Sequence, residues 1–178
     1  MKIKTTPIKD LYIIETNKIG DDRGAFMRMF CFEEIKKQTD INFETRQINF
    51  SHTVNKGNVR GMHFQKAPAL ESKIVRCIQG AIYDVAVDLR KDSPTYLQHF
   101  ALELSGENNY ALLIPENFAH GFQALTDDCK MVYLHNQFYT PDCESGLRYN
   151  DEKLNIKWPL PPINLSKRDL GFEAISDS

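Results

Sequence analysis

The stretch VRGMHFQ, Val59–Gln65, sets one histidine three positions after an arginine. His63 could hold a metal, support a core or move a proton. For a metal, Phe64 and Gln65 follow it, so the H-x-H pair that opens many β-barrel metal sites is missing. A second histidine, His120, comes in IPENFAHGF. Two histidines without a third nitrogen or a well-spaced carboxylate make a poor divalent site, and no metal or other cofactor is expected. Nucleophilic catalysis finds no G-x-S-x-G and no cysteine framed by a histidine. There is no glycine-rich phosphate loop or dinucleotide fingerprint either. A phosphorylated ligand would therefore be held by arginines, for which Arg23, Arg60 and Arg168 are candidates.

Acid–base chemistry remains, and histidine is the natural proton carrier near neutral pH. Flanked by Arg60, His63 would resist protonation unless a carboxylate balanced the charge. Asp169, ending NLSKRD, supplies that balance if the proline-rich segment before it folds back over the barrel mouth. A lone histidine capping a strand end is the commoner case, and the residues by themselves leave both readings open.

The chain as a whole narrows the setting. Its 178 residues suit a single domain over 1–178, with enough length for a real core. Hydrophobic residues at 42% and charged ones at 26% are ordinary for a globular protein. A formal charge of -2 offers no basic surplus for nucleic acid. No apolar run suits a signal peptide or a membrane span. Cys31, Cys77, Cys129 and Cys143 form no C-x-x-C pair, and read as reduced thiols of a cytoplasmic protein.

The elements that must position these groups are mostly strands. Residues 74–78 are β-rich, Gln79-Gly80 supplies a turn, and 81–89 follow. In that second run Tyr83, Val85, Val87 and Leu89 share one face. Ile82, Asp84, Ala86 and Asp88 share the other, which is a polar interior or an exposed face. LYIIET, AFMRMF, ETRQINFSHT, HFALELS, YALLIP, GFQAL and KMVYLHNQFY are further strand candidates, and CFEEIKKQT is the one good short helix. Many short strands between turn residues predict an all-β sandwich or barrel. WPLPPINLSKRD is expected to be a loop pinned by Trp158, since its three prolines remove donors and fix φ.

Nine motifs, in order from 21 to 169, carry a resemblance. DDRGAF, QIN, VRGMHFQ, SKIVR, GAIYDVAVDLRKDSPTY, LSGEN, IPENFAHGF, FYTPDCESG and NDEKLNIKWPL together resemble the dTDP-4-dehydrorhamnose 3,5-epimerases. The resemblance implies a jelly-roll, cupin-like β-barrel with a few short helices. It implies a homodimer, with catalysis inside the barrel and no metal or cofactor. The implied substrate is a nucleotide-linked 4-keto-6-deoxyhexose, whose C4 keto group acidifies the hydrogens on C3 and C5. A base removes one, an enolate forms, and a proton returned to the opposite face inverts the centre.

By resemblance His63 is the base and Asp169 its partner, fixing the tautomer and stabilising the imidazolium. Tyr133, in MVYLH, delivers the proton, and Lys73 stabilises enolate charge at the C4 oxygen. Arg23, Gln47, Asn49, Arg60, His120 and Glu144 match positions that contact the nucleotide sugar. The segment around Arg23 is implied to reach the partner subunit's site. The chain also departs from the family. Arg28 stands where glutamate is usual, which opens CDP or GDP sugars as alternatives and makes Arg28 a candidate for nucleotide preference. Leu134 replaces a lysine, Phe138 replaces a tyrosine beside Tyr139, and Arg168 replaces the lysine before Asp169. The catalytic set is complete, so an active enzyme is expected, inverting both centres or, as an alternative, C3 or C5 alone.

Overall fold

The computed structural model describes residues 1–176. Two antiparallel sheets face each other as a cupin-like jelly roll. One has the order β1 (Lys2–Thr5), β2 (Tyr12–Glu15), β10 (Tyr110–Ile114), β7 (Lys73–Gln79), β12 (Cys129–His135), β5 (Gln47–Thr53). The other has the order β13 (Glu144–Gly146), β6 (Val59–Gln65), β11 (Phe118–Ala124), β8 (Ala81–Asp88), β9 (His99–Ser105). A separate hairpin joins β3 (Ile19–Asp21) to β4 (Gly24–Phe26). Among the described residues, two short α-helices, α1 (Phe32–Thr39) and α2 (Lys167–Gly171), and a 3-10 turn at Pro141–Cys143 complete the elements.

Period-two alternation divides the central strands between two buried layers. Val75, Cys77, Leu112, Ile114 and Met131 point between the sheets, where they meet Ile82, Ala86, Phe118 and Phe122. Their neighbours Ile74, Ala111, Leu113 and Leu134 point outward and are covered by Ile35 of α1 and by Phe43. On the far side Met62, Val85, Val87 and Ala119 are covered by Leu154 and Trp158. Residues 74–77 are buried on both faces, and the charged one among them, Arg76, donates to Thr16 Oγ1 at 2.9 Å. The two faces of β8 are thereby assigned: Asp84 and Asp88 lie on the inner face with Ile82 and Ala86, both fully buried.

Asp88 is buried with a full set of partners. It accepts from Arg90, Ser93 and Thr95, which fold the loop after β8 around it. Gly80 makes the β7–β8 turn at φ 76, and an added Cβ would lie 2.6 Å from Thr126 Oγ1. In α1, Glu33 and Glu34 occupy the first turn and Lys36 and Lys37 the last, matching the helix dipole. The helix stops at Asp40, which adopts the left-handed conformation at φ 60.

Two expectations need correction. Only the start of AFMRMF is a strand. Among the described residues the β3–β4 hairpin has no third strand to extend it, Arg28 turns instead to Glu34, and Phe30 packs on Phe43. The end of WPLPPINLSKRD is helical, not loop. The last proline is Pro162, and Ser166 caps α2 by accepting from Asp169 N at 3.0 Å. The proline-rich part is a loop, and Trp158 pins it by donating to Tyr149 O at 2.8 Å. Fully buried Gln123 adds a second pin, bonded to both the N–H and the carbonyl of Leu160 at 2.9 Å. This fixed loop delivers α2 to the site.

Candidate active site

A cavity of about 680 Å³ opens between the sheets, large enough for a nucleotide sugar. His63, Arg60 and His120 reach it from the five-stranded sheet; Lys73, Tyr133, Gln47 and Asn49 reach it from the six-stranded sheet. Glu144 from β13 and Arg168 and Asp169 from α2 close one side.

Strict alternation would put Arg60 and His63 on opposite faces of β6. A bulge resolves this. His63 pairs with His120 and Arg60 with Phe122, so three steps on β6 match two on β11. Glycine is required at this place. A Cβ on Gly61, at φ 130, would lie 2.5 Å from Gly121 Cα. Gly61→Ala is expected to cost on the order of 3 kcal/mol by forcing two backbones apart. A chemical denaturation midpoint equal to wild type would contradict this.

His63 Nε2 bonds Asp169 Oδ1 at 2.7 Å. Asp169 is 2% exposed, and its other oxygen accepts from Gly61 N at 3.3 Å. Burial pushes its carboxyl up. The bond and charge of His63, with the Gly61 and Ser166 contacts, outweigh burial and hold the carboxyl below its ordinary value. An ionised carboxylate only accepts, so Nε2 carries the proton and Nδ1 is left as the basic nitrogen. The guanidinium beside this dyad is that of Arg168, not Arg60. Its Nη2 lies 3.0 Å from His63 Nε2, and its Nη1 donates to Glu144 at 2.7 Å. Arg60 turns to β5, donating to Thr53 Oγ1 at 3.0 Å.

A carboxyl with a depressed folded pKa stabilises fully above its unfolded value of about 4 and loses that contribution as pH falls through the folded value. Wild type is therefore expected to lose stability on acidification below about pH 4 more steeply than Asp169→Asn. Parallel melting-temperature curves for the two proteins would contradict the dyad's ionised state.

Tyr133 faces the dyad from the opposite sheet. Its hydroxyl lies 3.2 Å from Ser51 Oγ, and its ring stands edge-on to His120 at 6.3 Å. Burial pushes its pKa well above the ordinary phenol value, so it stays protonated and able to donate. His120 Nε2 bonds fully buried Asp84 at 2.7 Å, while Asp84 Oδ2 has no hydrogen-bond partner among the described residues. Lys73 Nζ lies 2.7 Å from Glu71 Oε1, both side chains nearly buried. Asp84, Glu71, Ser51 and His135 were not singled out by motif. Asp84 did carry a signal, an acid at an inward strand position. Glu71 and His135 gave none until topology placed them together.

Two candidate residues do not reach this cavity within one chain. Arg23 sits on the β3–β4 hairpin with its side chain 89% exposed, paired to Asp21. Arg28 is exposed and bonded to Glu34 at 2.7 Å.

Fold and site together define a cupin-like jelly-roll enzyme whose cavity is lined by His63 and Tyr133 from facing sheets. The family model for dTDP-4-dehydrorhamnose 3,5-epimerase matches residues 5–177. A dTDP-4-dehydrorhamnose 3,5-epimerase of Shigella flexneri is 39% identical over 100% of this chain and 98% of its own length. The solved dTDP-4-dehydrorhamnose 3,5-epimerase of Bacillus anthracis, with TDP and PPi bound, superposes with a TM-score of 0.94 at 37% identity, covering 98% of this chain and 99% of that one. A dTDP-6-deoxy-D-glucose-3,5-epimerase of Legionella pneumophila, in complex with dTDP-4-keto-L-rhamnose, gives a TM-score of 0.93 at 37% identity over 97% and 92%. This chain belongs to the dTDP-4-dehydrorhamnose 3,5-epimerase family, and is an isomerase of that type acting on a nucleotide sugar.

Proposed function

We propose that the enzyme inverts C3 and C5 of dTDP-4-dehydro-6-deoxy-D-glucose, giving dTDP-4-dehydro-L-rhamnose, with His63 as base and Tyr133 as acid. One observation carries this reading: the His63–Asp169 dyad and the partly buried Tyr133 line one cavity, with His63 and Tyr133 on opposite sheets. A ring held between them presents one face to each. Imidazole takes the proton from carbon, and the C–H electrons move into an enolate whose charge rests on the C4 oxygen. Asp169 stabilises the imidazolium, and Lys73 stabilises the enolate. The Tyr133 phenol then protonates carbon from the far face. Solvent restores both groups, and the cycle repeats at the second centre. Positioned acid–base groups supply about 10²–10⁴-fold each. Arg60 and Arg168 suit the pyrophosphate because a guanidinium fork matches its oxygens.

The site is shared between two copies in this reading. Ile48 and Phe50 on edge strand β5, and Ile19 and Phe26 on the unsupported hairpin, are all exposed, the pattern of a surface awaiting a partner. Arg23 on that hairpin would then reach the partner's cavity. Four free cysteines support a cytoplasmic setting, and among the described residues no helix is long and apolar enough to cross a membrane.

NMR of the product from dTDP-4-keto-6-deoxyglucose tests the proposal. Ring couplings showing inversion at both C3 and C5 are expected; couplings unchanged at both carbons would overturn it. Titrations with dTDP, CDP and GDP test the nucleotide, and tighter binding of CDP or GDP would reassign it.

A further inference from the structure

Glu71 precedes β7 and its carboxylate is divided between two groups. Oε1 lies 2.7 Å from Lys73 Nζ, and Oε2 lies 2.8 Å from His135 Nδ1. Lys73 and His135 are direct partners in the β7–β12 register, so the carboxylate bridges two facing residues of neighbouring strands. Its own position is fixed from behind. Ser72 N donates to Asn136 Oδ1 at 2.7 Å and Asn136 N donates to Ser72 O at 3.2 Å, tying the segment before β7 to the end of β12. Burial pushes the Glu71 carboxyl up, but the bond from His135 and the charge and bond of Lys73 outweigh it, leaving a pKa of about 2. Glu71 is therefore ionised at every working pH and can only accept.

The second half of the bridge runs through His135. Its Nδ1 donates to Glu71, and its Nε2 lies 3.4 Å from Asn49 Nδ2. Asn49 accepts from Gln47 Nε2 at 3.1 Å, and Gln47 Oε1 accepts from Tyr139 N at 3.0 Å. The His135 ring also stacks on Tyr133, with centroids 6.2 Å apart and planes 19° apart. One hydrogen-bonded chain thus joins Lys73 to Asn49 and Gln47, and one face of it supports the ring of Tyr133.

We propose that Glu71 and His135 are positioning residues that act as one unit, holding the Lys73 ammonium at the C4 oxygen and the Tyr133 ring at its reacting angle. This rests on the epimerase reading given above. Three groups have separate parts. Glu71 takes away most of the freedom of the long lysine side chain, so Nζ is in place before the enolate forms. His135 makes the carboxylate's other oxygen unavailable to Lys73, which keeps the ion pair in one geometry. Asn49 carries the order of the nucleotide end into this pair, so that binding energy from remote parts of the substrate is spent on kcat. Neither residue touches the reacting atoms in this account, so their loss is felt in kcat more than in KM.

The test compares wild type, Glu71→Gln, His135→Asn and the double variant on dTDP-4-keto-6-deoxyglucose, by deuterium uptake from heavy water and by steady-state kinetics. Dissociation constants for dTDP and circular dichroism establish that each variant is folded. His135→Asn keeps the carboxylate beside Lys73 and remains informative if Glu71→Gln fails to fold. Glu71→Gln is expected to lower kcat on the order of 10-fold, less than the ~10²–10³-fold for loss of an oxyanion donor itself, with KM nearly unchanged. His135→Asn should lower kcat by less, and the double variant should be no slower than Glu71→Gln. A wild-type kcat in both folded single variants, or losses that multiply in the double variant, would overturn the unit while leaving the epimerase reading intact. Absence of deuterium uptake by wild type would overturn that reading and this inference with it.

Discussion

Replacing His63 by alanine is expected to abolish exchange of the C3 and C5 protons while leaving the proposed dimer intact. The proposed base is lost outright, and positioned acid–base groups are worth about 10²–10⁴-fold. No neighbour stands ready to substitute: Asp169 is buried at 2% exposure behind the ring, and His120 is engaged by Asp84 at 2.7 Å. The variant also leaves the Asp169 carboxylate without its main partner. Gly61 N, the Ser166 hydroxyl and the Arg168 guanidinium remain around it, so the chain should still fold at reduced stability. Near-normal exchange in a folded His63→Ala enzyme would remove His63 as base.

Lys73→Met is expected to lower kcat by about 10²–10³-fold, the size of one aimed donor at a developing oxyanion. It should also destabilise the fold. Methionine fills the space of the lysine stem, but Glu71 then keeps its charge in a nearly buried place with only His135 to bond it. Breaking one partner from a buried pair costs about 3–5 kcal/mol, and the surviving His135 bond places this case at the lower end. Adding Glu71→Gln should restore part of the lost stability without restoring kcat. Rate assays and denaturant midpoints on the two variants check both halves. A Lys73→Met enzyme with wild-type kcat would show that the ammonium does not meet the enolate.

Much of the fold was legible because strand alternation and turn residues are local signals. The inward set Ile82, Asp84, Ala86 and Asp88 could be listed from the sequence, and only the choice between interior and solvent waited for the sheets. The candidate site was legible where motif and topology coincide: His63, Tyr133, Lys73 and Asp169, each marked by a motif, come together at one cavity. What escaped is non-local. The β6 bulge brings Arg60 and His63 to one face, and alternation predicts the reverse. The guanidinium beside His63 comes from Arg168, 105 residues away along the chain. The Glu71–His135 bond spans 64 residues and depends on the β7–β12 register, which no spacing encodes. Arg23 marks a different limit, since its expected role needs a second copy of the chain.

Deuterium uptake into the sugar in heavy water tests the central claim most directly. Purified enzyme is incubated with dTDP-4-keto-6-deoxyglucose, and the sugar is read by mass spectrometry and NMR. Two deuterons, one at C3 and one at C5, with inverted couplings, are the predicted result. No deuterium at either carbon would contradict a base that removes protons beside the C4 carbonyl.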